Sequence, residues 1–451
     1  MKLQFLGAAQ TVTGSKYLLS ADQKKILIDC GLFQGIKELR LRNWAPLPVD
    51  LKNIHAVVLT HAHLDHSGYL PLLVKNGFLG KIYSTAATKA LCGVLLPDSG
   101  YLQEEDAAFA SKHLFSKHHP PLPLYTMKEA KKTLRFFETV AWHQKIALTP
   151  NMTAAFSKAG HILGAGIVQI SAGGSLITFS GDLGRQKILT MGPPENIRQT
   201  DYLVVESTYG NKNHPKEDPK KVLAKIILET SKNNGVVLFP AFAVGRAQQI
   251  LFVINEMKKE NLIPDIPVFV NSPMAAMATK IFCDYEEEQI LTPEQTQEIV
   301  KGATFITSVE ESKNLNFQKG PAIIISASGM ATGGRILHHL KYLAPDEKNS
   351  IVFAGFQAPQ TRGEAMVHGA KEIKIHGEMV PIHAKVYQID TLSVHADQTE
   401  IMTWLKKFSK PPRTTFITHG ELKAAEALKT RIETELKWKC AIPDYLESYN
   451  L

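Results

Sequence analysis

The stretch Ile54-His55-Ala56-Val57-Val58-Leu59-Thr60-His61-Ala62-His63-Leu64-Asp65-His66-Ser67 decides how the whole chain is read. Its first half is a largely apolar run that predicts a buried strand. Its second half gathers the imidazoles of His61, His63 and His66 and the carboxylate of Asp65. Beyond it, Tyr69, Leu70, Leu72 and Leu73 ahead of Gly77 predict a short helix. A strand that empties into a sharp loop of nitrogen and oxygen donors suits zinc, because neighbouring donors on such a loop can face different ions. A polar loop with surface histidines is the bland alternative, and the strand-loop-helix setting counts against it.

Four local donors cannot close two metal sites, so other strand ends must supply the rest. Three short segments qualify: Ala159-Gly160-His161-Ile162-Leu163-Gly164-Ala165, Ser180-Gly181-Asp182-Leu183-Gly184 and Thr418-His419-Gly420-Glu421. The glycines beside His161, Asp182 and His419 permit close backbone approach. Taken singly, each of these residues reads equally well as a turn residue or a hydrogen-bonded side chain. Taken together they read as the missing donors. Asp29, which follows Lys25-Ile26-Leu27-Ile28, could fix the tautomer of a ligand histidine or merely cap a turn.

Working outward, the first 40 residues alternate short apolar runs with turns and predict a β-meander. Residues from about 98 to 144 read as helical, broken at His118-His119-Pro120-Pro121-Leu122-Pro123. Strands are expected at 167–171, 176–180 and 202–206. After Tyr209, helices at 219–231 and 245–258 alternate with strands at 236–239, 268–270 and 323–326, the rhythm of a parallel α/β sheet. Strands at 385–389 and 414–418 are each followed by a helix.

A chain of 451 residues is too long for one core, and roughly two or three domains are expected. A composition of 44% hydrophobic and 21% charged residues excludes a disordered chain. The formal charge of +8 favours anionic partners without naming one. Cys30, Cys92, Cys283 and Cys440 are too far apart for a zinc ribbon or a redox pair. With no leader-like segment and no apolar run long enough to span a bilayer, a cytoplasmic enzyme without a membrane partner is expected.

These motifs resemble those of the metallo-β-lactamase fold, specifically the β-CASP nuclease family, which includes the cleavage and polyadenylation endonuclease and bacterial RNA-processing homologues. The resemblance covers nearly the whole chain. Asp29 matches the family's first motif, residues 61–66 its second, His161 its third and Asp182 its fourth. Glu206, His395 and His419 match the later motifs A, B and C. The implied fold is α/β: a metallo-β-lactamase αββα sandwich with an inserted β-CASP α/β domain. The expected domains are residues 1–205, the insertion at 206–374, and a C-terminal part of the sandwich at 375–451.

The resemblance further implies two zinc ions per chain, one held by His61, His63 and His161, the other by Asp65, His66 and His419, with Asp182 bridging them. Metal-bound hydroxide would then attack an RNA phosphodiester, two cations sharing the charge that builds up. His395 is implied as proton donor to the leaving group, oriented by Glu206. A histidine at motif C, here His419, implies RNA in preference to DNA. The expected function is hydrolysis of single-stranded RNA to 5′-phosphate and 3′-hydroxyl ends, endonucleolytic, 5′-exonucleolytic or both. Oligomeric state is left open, a homodimer included. The lack of an added RNA-binding domain suggests a bacterial-type minimal enzyme.

Within the insertion, Ser328, Gly329, Gly333, Gly334 and Arg335 of Ser326-Ala327-Ser328-Gly329-Met330-Ala331-Thr332-Gly333-Gly334-Arg335 are candidate phosphate contacts, since exposed amides at such a helix start can hold an anion. Arg246 and Arg362 are further phosphate candidates, and Phe242 or Phe356 could stack on a base. His118-His119 and His338-His339 match no motif and are read as surface or helix residues. Two other functions compete: a catalytically silent RNA-binding scaffold, and a hydrolase of thioesters or lactams. The intact ligand motifs argue against the first, the long insertion against the second.

Overall fold

The computed structural model describes residues 1–112 and 120–451; the His118-His119 pair lies outside them. The chain divides into two compact units, residues 1–213 with 395–451, and residues 214–394.

Among the described residues, the first unit contains two seven-stranded sheets. One runs in the order Ser448–Asn450, Lys2–Phe5, Tyr17–Ala21, Lys24–Ile28, Ile54–Val58, Lys81–Ser84, Phe137–Thr139. Its N-terminal strands form the expected meander, antiparallel through Lys24–Ile28, and the remainder is parallel. The other runs Cys440–Ala441, Thr414–Thr418, Tyr202–Glu206, Ser175–Phe179, Gly166–Ala172, Met152–Lys158, Ile146–Thr149, with its central strands Ser175–Phe179, Tyr202–Glu206 and Thr414–Thr418 parallel. One buried cluster joins the two sheets: Phe5, Leu19, Ile26 and Val58 from the first meet Phe156, Val168, Phe179, Val204 and Phe416 from the second. Burial of both inner faces explains why central strands such as Tyr202–Glu206 are buried at every position. Helices such as Leu70–Lys75, Ala86–Lys112 and Leu422–Leu436 cover the outer faces, which gives the αββα layering.

The helical reading of 98–144 is corrected. The helix begins earlier and runs Ala86–Lys112, a second spans Met127–Thr133, and Phe137–Thr139 is a strand paired with Lys81–Ser84. The three-residue strand is set by its neighbour in the sheet, so local charge pattern gives no sign of it.

The second unit is built on a six-stranded sheet, all parallel, in the order Thr304–Phe305, Val268–Asn271, Ala322–Ser326, Val236–Pro240, Ser350–Ala354, Lys385–Ile389. Three of its helices start from a capping side chain followed by proline: Asp218-Pro219, Ser272-Pro273 and Thr292-Pro293. The cap satisfies an amide that has no partner inside the helix, and proline fixes the first helical φ. The compact unit runs to 394, with Lys385–Ile389 paired along its whole length with Ser350–Ala354. Among the described residues no helix is long and apolar enough to cross a membrane. All four cysteines are free, and Cys30, Cys92 and Cys440 are buried.

Candidate metal centre

Parallel strands bring their carboxyl ends to one edge, where loops can converge. In the first unit, Asp29 directly follows Lys24–Ile28, His61 lies just past Ile54–Val58, Asp182 past Ser175–Phe179, and His419 directly after Thr414–Thr418; Glu206 ends Tyr202–Glu206. His161 sits in the turn between the antiparallel strands Met152–Lys158 and Gly166–Ala172. Two of these strand-end residues, Asp29 and His419, have positive φ, at 56° and 48°. Aspartate and histidine tolerate this region better than most residues, yet it is sparsely used, and such strain collects at functional sites.

The metal loop is strapped to its neighbour by backbone bonds from Cys30 N to His66 O (2.7 Å) and from Leu32 N to Leu64 O (2.8 Å). Between them lies Gly31, where an added Cβ would stand 1.6 Å from the Asp65 carbonyl oxygen, so no other residue fits. Gly184 plays the same part beside the His161 turn, its added Cβ falling 2.0 Å from Gly160 O.

These constraints gather the side chains into two sets of donors. His61, His63, His161 and Asp182 form one, and Asp65, His66 and His419 the other. In the first set, His61 Nε2 is 3.2 Å and His161 Nε2 3.3 Å from His63 Nδ1, and Asp182 Oδ2 is 3.4 Å and 3.5 Å from His61 Nε2 and His161 Nε2. In the second, His419 Nε2 lies 3.1 Å from His66 Nε2 and 3.2 Å from Asp65 Oδ2. The other oxygen of Asp182, Oδ1, is buried 3.2 Å from His66 Nε2 and accepts no hydrogen bond. One carboxylate therefore faces both sets.

The first donor set fits a small divalent cation. Donors 2.0–2.1 Å from a tetrahedral ion stand about 3.3 Å from one another, which is the spacing of the first set. Burial, the largest influence, pushes His61 down to about 3 and His63 down to about 4, and holds His161 well below the usual imidazole value. These rings are therefore neutral, as ligands must be. Burial also opposes charge on Asp65 and Asp182, but the surrounding histidines more than offset it and hold both carboxyls well below the usual range.

Polar neighbours fix the rings. His66 Nδ1 donates to Asp29 Oδ2 at 2.7 Å, while Asp29 also accepts from Thr60 N (2.7 Å) and Thr60 Oγ1 (2.9 Å). Thr60 Oγ1 lies 3.1 Å from His61 Nδ1, and Thr208 Oγ1 3.1 Å from His419 Nδ1. In each ring the Nε2 atom is thereby left facing the cluster. Neither threonine stood out in the sequence. Thr60, the hydroxyl directly before the first histidine, carried a weak signal; Thr208 meets His419 across 211 residues of chain and carried none.

Beside the cluster, His395 Nδ1 is 3.2 Å from Glu206 Oε1, and Glu206 accepts from Leu183 N at 2.6 Å and Thr208 N at 3.3 Å. Burial works against a charged His395, but the carboxylates of Glu206, Asp182 and Asp65 together outweigh it, and the imidazole is held above its ordinary value. The His395 side chain is 18% exposed where those of His61 and His161 are fully covered, so it stands at the open side of the cluster.

In the second unit the candidate phosphate residues have other partners. Arg335 donates to Asn271 Oδ1 (2.8 Å), Ile306 O (3.1 Å) and Thr307 O (2.6 Å), which ties three segments together and leaves its guanidinium engaged. Arg246 is buried at the start of Arg246–Lys259 and donates to Gln249 Oε1 at 2.8 Å. Arg362 bonds Lys374 O, Ala331 O and Thr332 O. Ser328 Oγ shares a hydrogen bond with Thr332 Oγ1 at 2.9 Å, Gly329 packs on Phe242, and Gly333 borders open space. Gly334 takes φ +75° just before the helix. Of the two helix histidines, His338 is exposed but His339 is buried, 2.6 Å from Asn271 Nδ2, so only the first is a surface residue.

The sequence matches the Metallo-beta-lactamase superfamily over residues 11–221, the Beta-Casp domain over 247–366 and the Zn-dependent metallo-hydrolase RNA specificity domain over 379–443. It is 35% identical to Ribonuclease TTHA0252 of Thermus thermophilus over 428 residues, 93% of each chain. It is 31% identical to the Transcription termination factor FttA of Methanosarcina mazei, covering 100% of this chain and 72% of that one. The RNase J-like protein of Methanocaldococcus jannaschii is 29% identical over 98% of this chain and 97% of its own. A solved structure of a protein of unknown function from Enterococcus faecalis V583 shares the fold, with a TM-score of 0.56 at 15% identity over 100% of this chain and 99% of that one. Three domain matches in this order, and a relative of this identity aligned along nearly its whole length, show that the chain belongs to the β-CASP family of metallo-β-lactamase-fold ribonucleases.

Proposed function

We propose that the protein is a zinc-dependent ribonuclease that hydrolyses single-stranded RNA, in preference to DNA, leaving 5′-phosphate and 3′-hydroxyl ends. The observation that carries this reading is Asp182, one buried carboxylate with an oxygen toward each of two donor sets, with the His395–Glu206 pair alongside. Under this reading His61, His63, His161 and Asp182 hold one zinc, and Asp65, His66, His419 and Asp182 the other. When bound, two such ions supply Lewis acidity, polarising the phosphodiester and making water a competent nucleophile. The residues do the remainder. Asp29, Thr60 and Thr208 lock the rings of His66, His61 and His419 so that no reorganisation is needed during reaction. Glu206 holds His395 by Nδ1, which leaves Nε2 to deliver a proton to the departing ribose oxygen.

The name of Ribonuclease TTHA0252 supports RNA as substrate, and the histidine at position 419 supports RNA over DNA. In the second unit, the amides around Gly333 and Gly334 are the proposed contacts for a phosphate, with Ser328 and Gly329 shaping the loop. Arg335 acts there through the backbone of Ile306 and Thr307 that it holds.

Digestion of an end-labelled single-stranded RNA tests the proposal. Cleavage is expected with zinc, lost on chelation, restored by added zinc, and accompanied by new 5′-phosphates. Internal fragments would mark endonuclease action, and mononucleotides released in order from the 5′ end would mark exonuclease action. Inert RNA in a protein carrying two zincs, with rapid thioester turnover, would overturn it.

Asp29→Asn separates the supporting role of that residue from ligation. The variant keeps its size but not its charge, and zinc affinity is expected to fall on the order of 10- to 100-fold with the fold intact. Equilibrium competition with a chelating dye reads this directly. An unchanged affinity would assign Asp29 to turn capping alone.

A further inference from the structure

The helix Lys37–Arg42 continues through two tight turns, Asn43 N to Arg40 O and Trp44 N to Leu41 O, both 3.1 Å. Lys37, Arg40, Leu41 and Trp44 are thus spaced three, four and seven apart and share one face. All four are exposed, Leu41 by 55% and Trp44 by 58%. So large a share of an indole in water is uncommon, since tryptophan is highly buried on average.

This face does not belong to a loose loop. On its inner side Asn43 is buried and clamps Phe33 twice, through Phe33 N to Asn43 Oδ1 at 2.9 Å and Asn43 Nδ2 to Phe33 O at 2.8 Å. The Arg42 guanidinium lies 4.1 Å over the Tyr445 ring and 5.5 Å over Phe33, and Tyr69 Oη reaches Ala45 O at 3.5 Å. Residues on both sides of Trp44 are anchored while its own ring is presented outward. The same clamp ties the face to the metal loop: Phe33 adjoins Leu32, whose amide bonds Leu64 O, next to Asp65. The helix carries three cations, Lys37, Arg40 and Arg42, against the single carboxylate of Glu38.

We propose that Trp44, with Lys37 and Arg40, forms a base-stacking subsite for single-stranded RNA on the metal-bearing unit. The inference rests on the ribonuclease reading above. An aromatic face accepts any base and neighbouring cations take the phosphates, so such a subsite binds without regard to sequence. Its rigid link to the Asp65 loop would hold a strand in register with the cluster.

The test uses the zinc-loaded full chain and a cleavage-resistant phosphorothioate single-stranded RNA oligonucleotide, with Kd from fluorescence anisotropy. Trp44→Ala is expected to raise Kd on the order of 10-fold, the scale of one lost stacking contact. Trp44→Phe, which keeps a ring, should raise it by about 3-fold or less, and Arg40→Ala should weaken binding and flatten its salt dependence. Quenching of tryptophan fluorescence on RNA addition should vanish in Trp44→Phe. Because the side chain is exposed, Trp44→Ala should melt within about 2 °C of the parent. Equal quenching in the parent and Trp44→Phe, or an unchanged Kd in Trp44→Ala, would overturn the inference. So would an unchanged Kd with a dimer-to-monomer shift in sedimentation, which would make the face a protein contact. A parent protein that neither binds nor cuts RNA would instead overturn the ribonuclease reading itself.

Discussion

Asp182→Asn is expected to reduce RNA cleavage on the order of 10³-fold and to strip most of the bound zinc. The carboxylate faces both donor sets, Oδ2 toward His61 and His161 and Oδ1 toward His66. An asparagine has one acceptor oxygen, and its NH2 would point two hydrogens at the opposite set. Both sites then lose a charged ligand at once, and the histidines are left crowded without a cation between them. By contrast His419→Ala removes a donor from one set only and should leave the His61, His63 and His161 site loaded. Elemental analysis of the purified variants distinguishes the two cases, and single-turnover cleavage gives the rate. Asp182→Asn retaining two zincs and about a tenth or more of the activity would remove the bridging role.

His395→Ala is expected to keep its metals and lose roughly 10²- to 10⁴-fold in cleavage, the usual contribution of a placed general acid. His395 belongs to neither donor set. Glu206→Gln should lose less, because the amide oxygen can still orient the ring. The double variant should be no worse than His395→Ala alone, since the two side chains act as one unit. A phosphodiester whose leaving group departs as a stable anion needs no proton and should be cleaved by His395→Ala at close to the parental rate. Equal losses on that substrate and on RNA would move His395 from proton donation to positioning.

The parallel cores of both units were legible because strands covered on both faces are nearly continuous apolar runs. Strands Tyr202–Glu206 and Thr414–Thr418 have the bounds read from sequence, and so does Lys385–Ile389, a more exposed strand at the sheet edge. Met152–Lys158 was not read, although alternate residues are buried, because alanine, serine and threonine give its two faces little contrast in polarity. The candidate donors were named from the His61–His66 loop and from the glycine-flanked His161, Asp182 and His419, and the structure brings all seven side chains close together. What holds them was not legible. Thr60 and Thr208 are ordinary residues until the fold sets their hydroxyls against imidazoles. The engagement of Arg335 with Asn271 and Thr307 is likewise a product of long-range packing. In the same way, the pairing of Lys385–Ile389 with Ser350–Ala354 comes from long-range contacts that local composition does not encode.

The interrupted layout of the first unit has a temporal consequence. Its chain leaves at Asn213 and resumes at His395, where Tyr209 bridges Asp397 and Gln398 N bonds Lys212 O at 3.1 Å. The second unit, residues 214–394, is continuous in the chain. During synthesis at roughly 5–20 residues per second, His395 and His419 emerge from the ribosome only after that whole segment. A nascent chain that already displays His61 to His66, His161 and Asp182 still lacks a donor of one set and the partner of Glu206. Translation thus delays assembly of the centre, and a chain halted within the insertion would be released unarmed.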